Sequence, residues 1–142
     1  MGPMTPAAKE GYKYISMFTK TFSRMKEIFL LKGKVEAVEL SHQYNMTVVV
    51  PLGLRIETIR CDKGGEYTGM KFGTLCIDAD INVKCNATTS PQQNGVSDRG
   101  GLTLAQIKMC LMKEGNFPAC LWGKPFFTAT YLSNGSPHSI LR

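Results

Sequence analysis

Arg60-Cys61-Asp62-Lys63-Gly64-Gly65-Glu66-Tyr67 follows a strand-like run and ends it in a glycine-permitted turn, which places Asp62 at the carboxyl end of a strand. Open α/β sheets commonly bind ligands just beyond such strand ends. A second stretch, Ser90-Pro91-Gln92-Gln93-Asn94-Gly95-Val96-Ser97-Asp98-Arg99, predicts a loop over 89–97, because Pro91 and Asn94-Gly95 are strong turn signals. The loop enters a helix whose first turn carries Asp98 and Arg99. Two acids delivered from separate elements, with 35 residues between them, suit a magnesium site. Magnesium takes oxygen ligands, keeps several waters and uses one or two protein carboxylates. A two-metal site for phosphoryl displacement needs about three acids, and two are visible. Simpler roles exist for both. Asp62 can hydrogen-bond its own turn, and Asp98 can stabilise the positive end of a helix. The stretch from Pro91 to Ser97 reads equally as a surface connection or as a mobile loop that touches substrate.

Upstream of the first motif, residues 12–19 and 24–31 each read as a strand, and a connection of about four residues containing Ser23 makes them an antiparallel hairpin. Residues 33–47 change to helical composition, with Val35, Val38 and His42 at three- and four-residue steps, and Pro51 and Gly53 end the helix. A strand over 54–61 leads to Asp62, followed by a short helix near 70–79 and a strand near 81–88. From Val96 to Lys113 the chain reads as a buried, apolar helix with Leu104, Ile107, Met109, Leu111 and Met112. Asn116-Phe117-Pro118 breaks it. A last helix over 119–133 carries Trp122, Phe126, Phe127 and Tyr131, which are read as core aromatics in preference to a stacking platform for bases.

With 142 residues the chain fits one domain with a sizeable core. Its formal charge is +6, and residues 1–34 hold seven basic and two acidic side chains. That bias suits a polyanionic partner, and it also suits an ordinary lysine-rich surface. Five cysteines, at 61, 76, 85, 110 and 120, form no Cys-x-x-Cys pair, and neither His42 nor His138 stands at ligand-like spacing to them. Reduced thiols in an intracellular protein are expected, and zinc is not. No apolar run has the length of a membrane span, and the opening residues lack a secretory pattern.

From Gly2 to about Pro137 the chain resembles the catalytic core of integrases from copia-type retrotransposons, relatives of retroviral integrases with a ribonuclease H-like fold. The matching stretches are Gly2-Pro3-Met4, Tyr12-Lys13-Tyr14 leading to Phe22-Ser23-Arg24, the turn from Asp62 to Tyr67, Pro91 to Val96 with Arg99, and Tyr131-Leu132-Ser133-Asn134. The resemblance implies an α/β, ribonuclease H-like mixed sheet flanked by helices, forming one domain over 1–142. It implies magnesium- or manganese-dependent cutting and joining of DNA, with retrotransposon ends and target DNA as partners, residence in the nucleus and pairing as a homodimer. By the same resemblance Asp62 takes the place of the second of three catalytic acids and Asp98 that of the third, both as metal ligands. Gln92, Gln93, Asn94 and Arg99 are the DNA contacts. The first acid would fall upstream of Met1.

The chain departs from the family pattern in ways that weaken catalysis. Asp98 is one methylene shorter than the family's glutamate, and magnesium–oxygen distances of about 2.0–2.1 Å tolerate little slack. Lys63 stands for an asparagine, and Lys20 for a residue that is commonly acidic. In the helix after Asp98, Gly100-Gly101-Leu102 stands where relatives usually carry an asparagine and a basic residue, and each interior glycine costs about 1 kcal/mol relative to alanine, which loosens the platform for the last acid. The enzyme expected is therefore impaired. The alternative is a non-catalytic, nucleic-acid-binding or self-associating relic of a retrotransposon polyprotein.

Overall fold

A computed structural model of the chain describes residues 1–61, 70–85 and 91–137, with the side chains at 71, 85, 91–94 and 96 left aside. The fold is mixed α/β, and it divides into two compact units. One comprises Met1–Gly33 with Val96–Arg142, and the other comprises Lys34–Gly95.

The first unit is built on an antiparallel hairpin of β1 (Tyr14–Thr19) and β2 (Lys26–Leu31), in register from Tyr14 opposite Leu31 to Thr19 opposite Lys26. Its connection spans residues 20–25, longer than the four expected, because Arg24 takes the left-handed conformation at φ 59°. The turn is closed by Lys20 N–H donating to Met25 O and by Arg24 N–H donating to Lys20 O, each at 2.9 Å. The opening residues run beside β1: Ile15 N–H donates to Met1 O at 2.9 Å and Met4 N–H to Lys13 O at 2.7 Å.

Two helices cover the hairpin. Ile15 and Ile28 from the strands meet Leu104, Trp122, Phe126 and Ala129 in one core, with Ala8 at its margin. Leu104 and Phe126 are fully buried, and Trp122 meets Phe126 edge to face at 6.1 Å. The Trp122 indole N–H, which a buried tryptophan must satisfy, donates to Pro6 O at 3.0 Å.

The helix carrying Leu104, here α3 (Pro91–Glu114), begins five residues earlier than expected. Pro91 and Asn94-Gly95 were read as loop signals, yet proline is also well suited to the first helical position, where its missing N–H has no partner to lose. Among the described side chains α3 is buried on one side: Leu104 is in the core, whereas Met109 is exposed. The reading of a buried helix is corrected accordingly. A short 3-10 turn at Ala119–Leu121 then leads into α4 (Gly123–Gly135), which keeps Trp122 and Phe126 inside. It turns Phe127 and Tyr131 outward, 48% and 78% exposed, so these two aromatics are not core.

The second unit is a β-α-β crossover with one additional helix. β3 (Thr58–Cys61) and β4 (Asn82–Cys85) are parallel, and α2 (Met70–Asp78) lies between them in sequence, as parallel strands require. α1 (Glu36–Tyr44) runs into a π-helical turn at Asn45–Val49 and a 3-10 turn at Val50–Leu52. It stops where Gly53 adopts the left-handed cap at φ 67°, as Pro51 and Gly53 foretold. Val38, Cys61, Phe72 and Cys76 form the core. β3 is shorter than the strand read over 54–61: the ladder to β4 starts at Thr58, with Glu57 O accepting from Asn82 N–H at 2.9 Å just ahead of it. Among the described residues the strands form two sheets of two strands each.

Candidate functional site

β3 ends at buried Cys61, the residue before Asp62 in the chain. Asp62 itself lies outside the described residues. Asp98 sits on α3 with an exposed side chain, and Arg99 beside it is exposed as well. Gln92, Gln93 and Asn94 are in the first turns of α3, helical in backbone where a loop was expected. Among the described residues no group of three or more histidine, cysteine, aspartate or glutamate side chains is arranged to hold a metal ion. A cleft of about 330 Å³ in the second unit is lined by residues including His42, Arg55 and Asp78, and contains none of the expected site residues.

The helix that bears Asp98 is shaped by what lies beneath it. Gly100 and Gly101 are buried, and α3 runs through both without a break. A Cβ at Gly100 would lie 2.9 Å from Lys26 Cε, whereas one at Gly101 would meet its nearest neighbour, Met1 Sδ, at 3.6 Å. Gly100 thus makes room for the Lys26 side chain two residues beyond Asp98.

Lys26 is 5% exposed, and its ammonium donates to Ser133 Oγ at 3.0 Å. Burial pushes its pKa below the ordinary lysine value, since desolvation penalises the charged form. The backbone of the same residue is held by Asn134 of α4. Lys26 N–H donates to Asn134 Oδ1 at 2.9 Å, and Asn134 Nδ2 donates to Lys26 O at 2.8 Å. Sequence reasoning noted Ser133 and Asn134 only as part of a matching motif and missed that they bracket a strand. Lys26 it missed altogether.

Charge is divided unevenly between the units. The first holds eleven basic and four acidic residues, a net +7, and the second six basic and seven acidic, a net −1. Asp98 lies in the strongly basic unit.

No family model matches the chain. It is 30% identical over 136 residues, 96% of its length, to the retrovirus-related Pol polyprotein from transposon TNT 1-94 of Nicotiana tabacum, of which it spans 10%. It is 24% identical over 133 residues, 94% of its length, to the corresponding polyprotein from transposon RE2 of Arabidopsis thaliana, of which it spans 9%. The chain therefore covers about a tenth of the curated relatives it matches. Its fold is like that of a chain in the cryo-EM structure of the simian T-cell lymphotropic virus intasome in complex with PP2A regulatory subunit B56 gamma. That likeness has a TM-score of 0.62 at 18% identity and covers 88% of this chain and 49% of the other. The chain is thus similar to retrovirus-related Pol polyproteins, with a fold like that of a chain in a retroviral intasome complex. More particularly, it is similar along nearly its whole length to the Pol polyproteins of copia-type retrotransposons.

Proposed function

We propose that the chain is an integrase catalytic core, a single ribonuclease H-like domain that binds retrotransposon ends and target DNA and descends from enzymes that cut and join them. The observation that carries this reading is the 30% identity to a transposon Pol polyprotein across 96% of the chain. The net +7 of the first unit supports a polyanionic partner. In this reading Arg99 pairs with phosphate, and Gln92, Gln93 and Asn94 contact DNA from the start of α3. The nucleus is the place where such DNA is joined.

Asp62 and Asp98 would hold a magnesium or manganese ion. The donor chemistry fits a hard cation: both are carboxylates, and Asp98 is exposed with no ion pair among the described residues. A bound divalent ion would supply charge stabilisation at the attacking and leaving oxygens of a phosphodiester. The protein's own contribution is position, since α3 is anchored over the hairpin through Leu104 and fixes the backbone at 98. The short aspartate leaves the ion loosely held, so activity is low.

The test is metal-dependent nicking of a supercoiled plasmid by the chain, by Asp98→Glu and by Asp62→Asn. The expected order is Asp98→Glu above the parent, with Asp62→Asn at background. Equal background cleavage by all three, together with retained DNA binding, would overturn the enzymatic reading in favour of a binding relic. The outward face of α4, with Phe127, Tyr131 and Leu132 exposed, favours self-association as a homodimer in either reading.

A further inference from the structure

We propose that Arg60 and Lys84 form a phosphate-binding pair on the exposed face of the β3–β4 sheet, a second contact for the DNA backbone that rests on the reading of the chain as a DNA-binding core. The ladder makes them Cα partners, one rung from the end of both strands. Register partners on adjacent strands carry their side chains on the same face, and successive residues alternate between faces. Ile59 and Val83 turn inward onto the core of Val38, Cys61, Phe72 and Cys76. The same alternation sends Thr58, Arg60, Asn82 and Lys84 outward, and all four are exposed.

Neighbouring strands lie about 4.7–4.9 Å apart, which sets two like charges side by side. Like charges directly opposite each other destabilise a strand pair. No carboxylate relieves them, since neither Arg60 nor Lys84 is ion-paired among the described residues. Nor do they belong to a generally basic surface, because the second unit has a net charge of −1. A phosphodiester between them resolves the repulsion. The planar guanidinium of Arg60 can take two phosphate oxygens at once, and Lys84 adds a point charge on a flexible stem. Thr58 and Asn82, register partners on the same face, offer a hydroxyl and an amide as further donors. Such a grip acts on the backbone and carries no sequence information. Arg60 stands two residues before the proposed ligand Asp62, which ties the pair to the same end of β3.

The experiment is fluorescence anisotropy of the full chain with labelled duplexes of two unrelated sequences, titrated across salt. Arg60→Gln and Lys84→Gln should each weaken binding several-fold at low salt on both sequences. Each should also flatten the slope of log affinity against log salt by about 0.9, and the double variant by about twice that. Arg55→Gln makes the same charge change in the same unit, at a residue already paired with Asp80, and should match the parent. Thermal midpoints of the Arg60 and Lys84 variants should stay at or above the parent's, because a repulsion is removed. A steep parent slope retained in the double variant overturns the pair alone. An equal loss in Arg55→Gln does the same by assigning the effect to net charge, and so does a fall in both midpoints, which would make the two side chains a stabilising contact of the sheet. A parent without salt-dependent binding fails the DNA-binding reading itself and the pair with it.

Discussion

At the scale of single residues, Lys26 joins an unfavourable charge to a necessary contact. Its ammonium is buried against Ser133, and desolvation lowers its folded pKa. Below that lowered value both folded and unfolded chains carry the proton, and the cost of burying the charge is complete. Between it and 10.5, the ordinary lysine value, the unfolded chain holds one more proton, so stability rises with pH through that window and levels above it. Thermal melts across alkaline pH should show this upward slope, and Lys26→Met should flatten it while raising the midpoint at pH 7. A parent and variant with parallel pH profiles would rule the lysine out as the source. The adjacent glycines make a second comparison. Gly101→Ala meets only ordinary contacts and should stabilise by up to about 1 kcal/mol through helix propensity. Gly100→Ala gains the same propensity but drives its methyl into Lys26 Cε, so denaturant unfolding should rank it below Gly101→Ala.

At the scale of elements, the bracket from Asn134 to Lys26 ties the last helix to β2 by two hydrogen bonds at 2.9 and 2.8 Å. Asn134→Ala leaves two partly buried backbone groups without partners, for a loss of about 1–3 kcal/mol in urea unfolding. Wild-type stability in that variant would mean that water replaces the amide at no cost. This contact also marks what the sequence could and could not reveal. The hairpin was legible because its strand residues cluster between turn signals, and the stop after α1 because Pro51 and Gly53 act locally. The start of α3 was misread because Pro91 serves a helix start as well as a loop. Phe127 and Tyr131 were misplaced because an aromatic count says nothing of which side of α4 each occupies. Asn134 and Lys26 are 108 residues apart, and no local pattern links an amide to a backbone at that range. Asp62 and Asp98 stood out through the motifs around them, since the spacing of two carboxylates alone selects no site.

At the scale of the whole molecule, the division of charge governs encounters with polyanions. A surface that neutralises several phosphates releases their counterions, and log affinity then falls linearly with log salt, with a slope of about −0.9 per phosphate contact on duplex DNA. Fluorescence anisotropy with a labelled duplex should give a steep slope for the chain, reduced by roughly one contact in Arg99→Gln. An affinity that does not change with salt would remove the electrostatic basis for DNA binding. No helix among the described residues is long and apolar enough to cross a membrane.

The path of α4 has a consequence for handling the protein. Gly123 lies against Leu30 and Asn134 against Lys26, so the helix follows β2 from one end to the other. A protease cut ahead of Asn134 would lift that cover and leave an unshielded strand margin able to recruit other chains into intermolecular sheet. Material clipped within α4 should therefore precipitate before it unfolds in any ordinary sense, and turbidity should rise with the first nicked species.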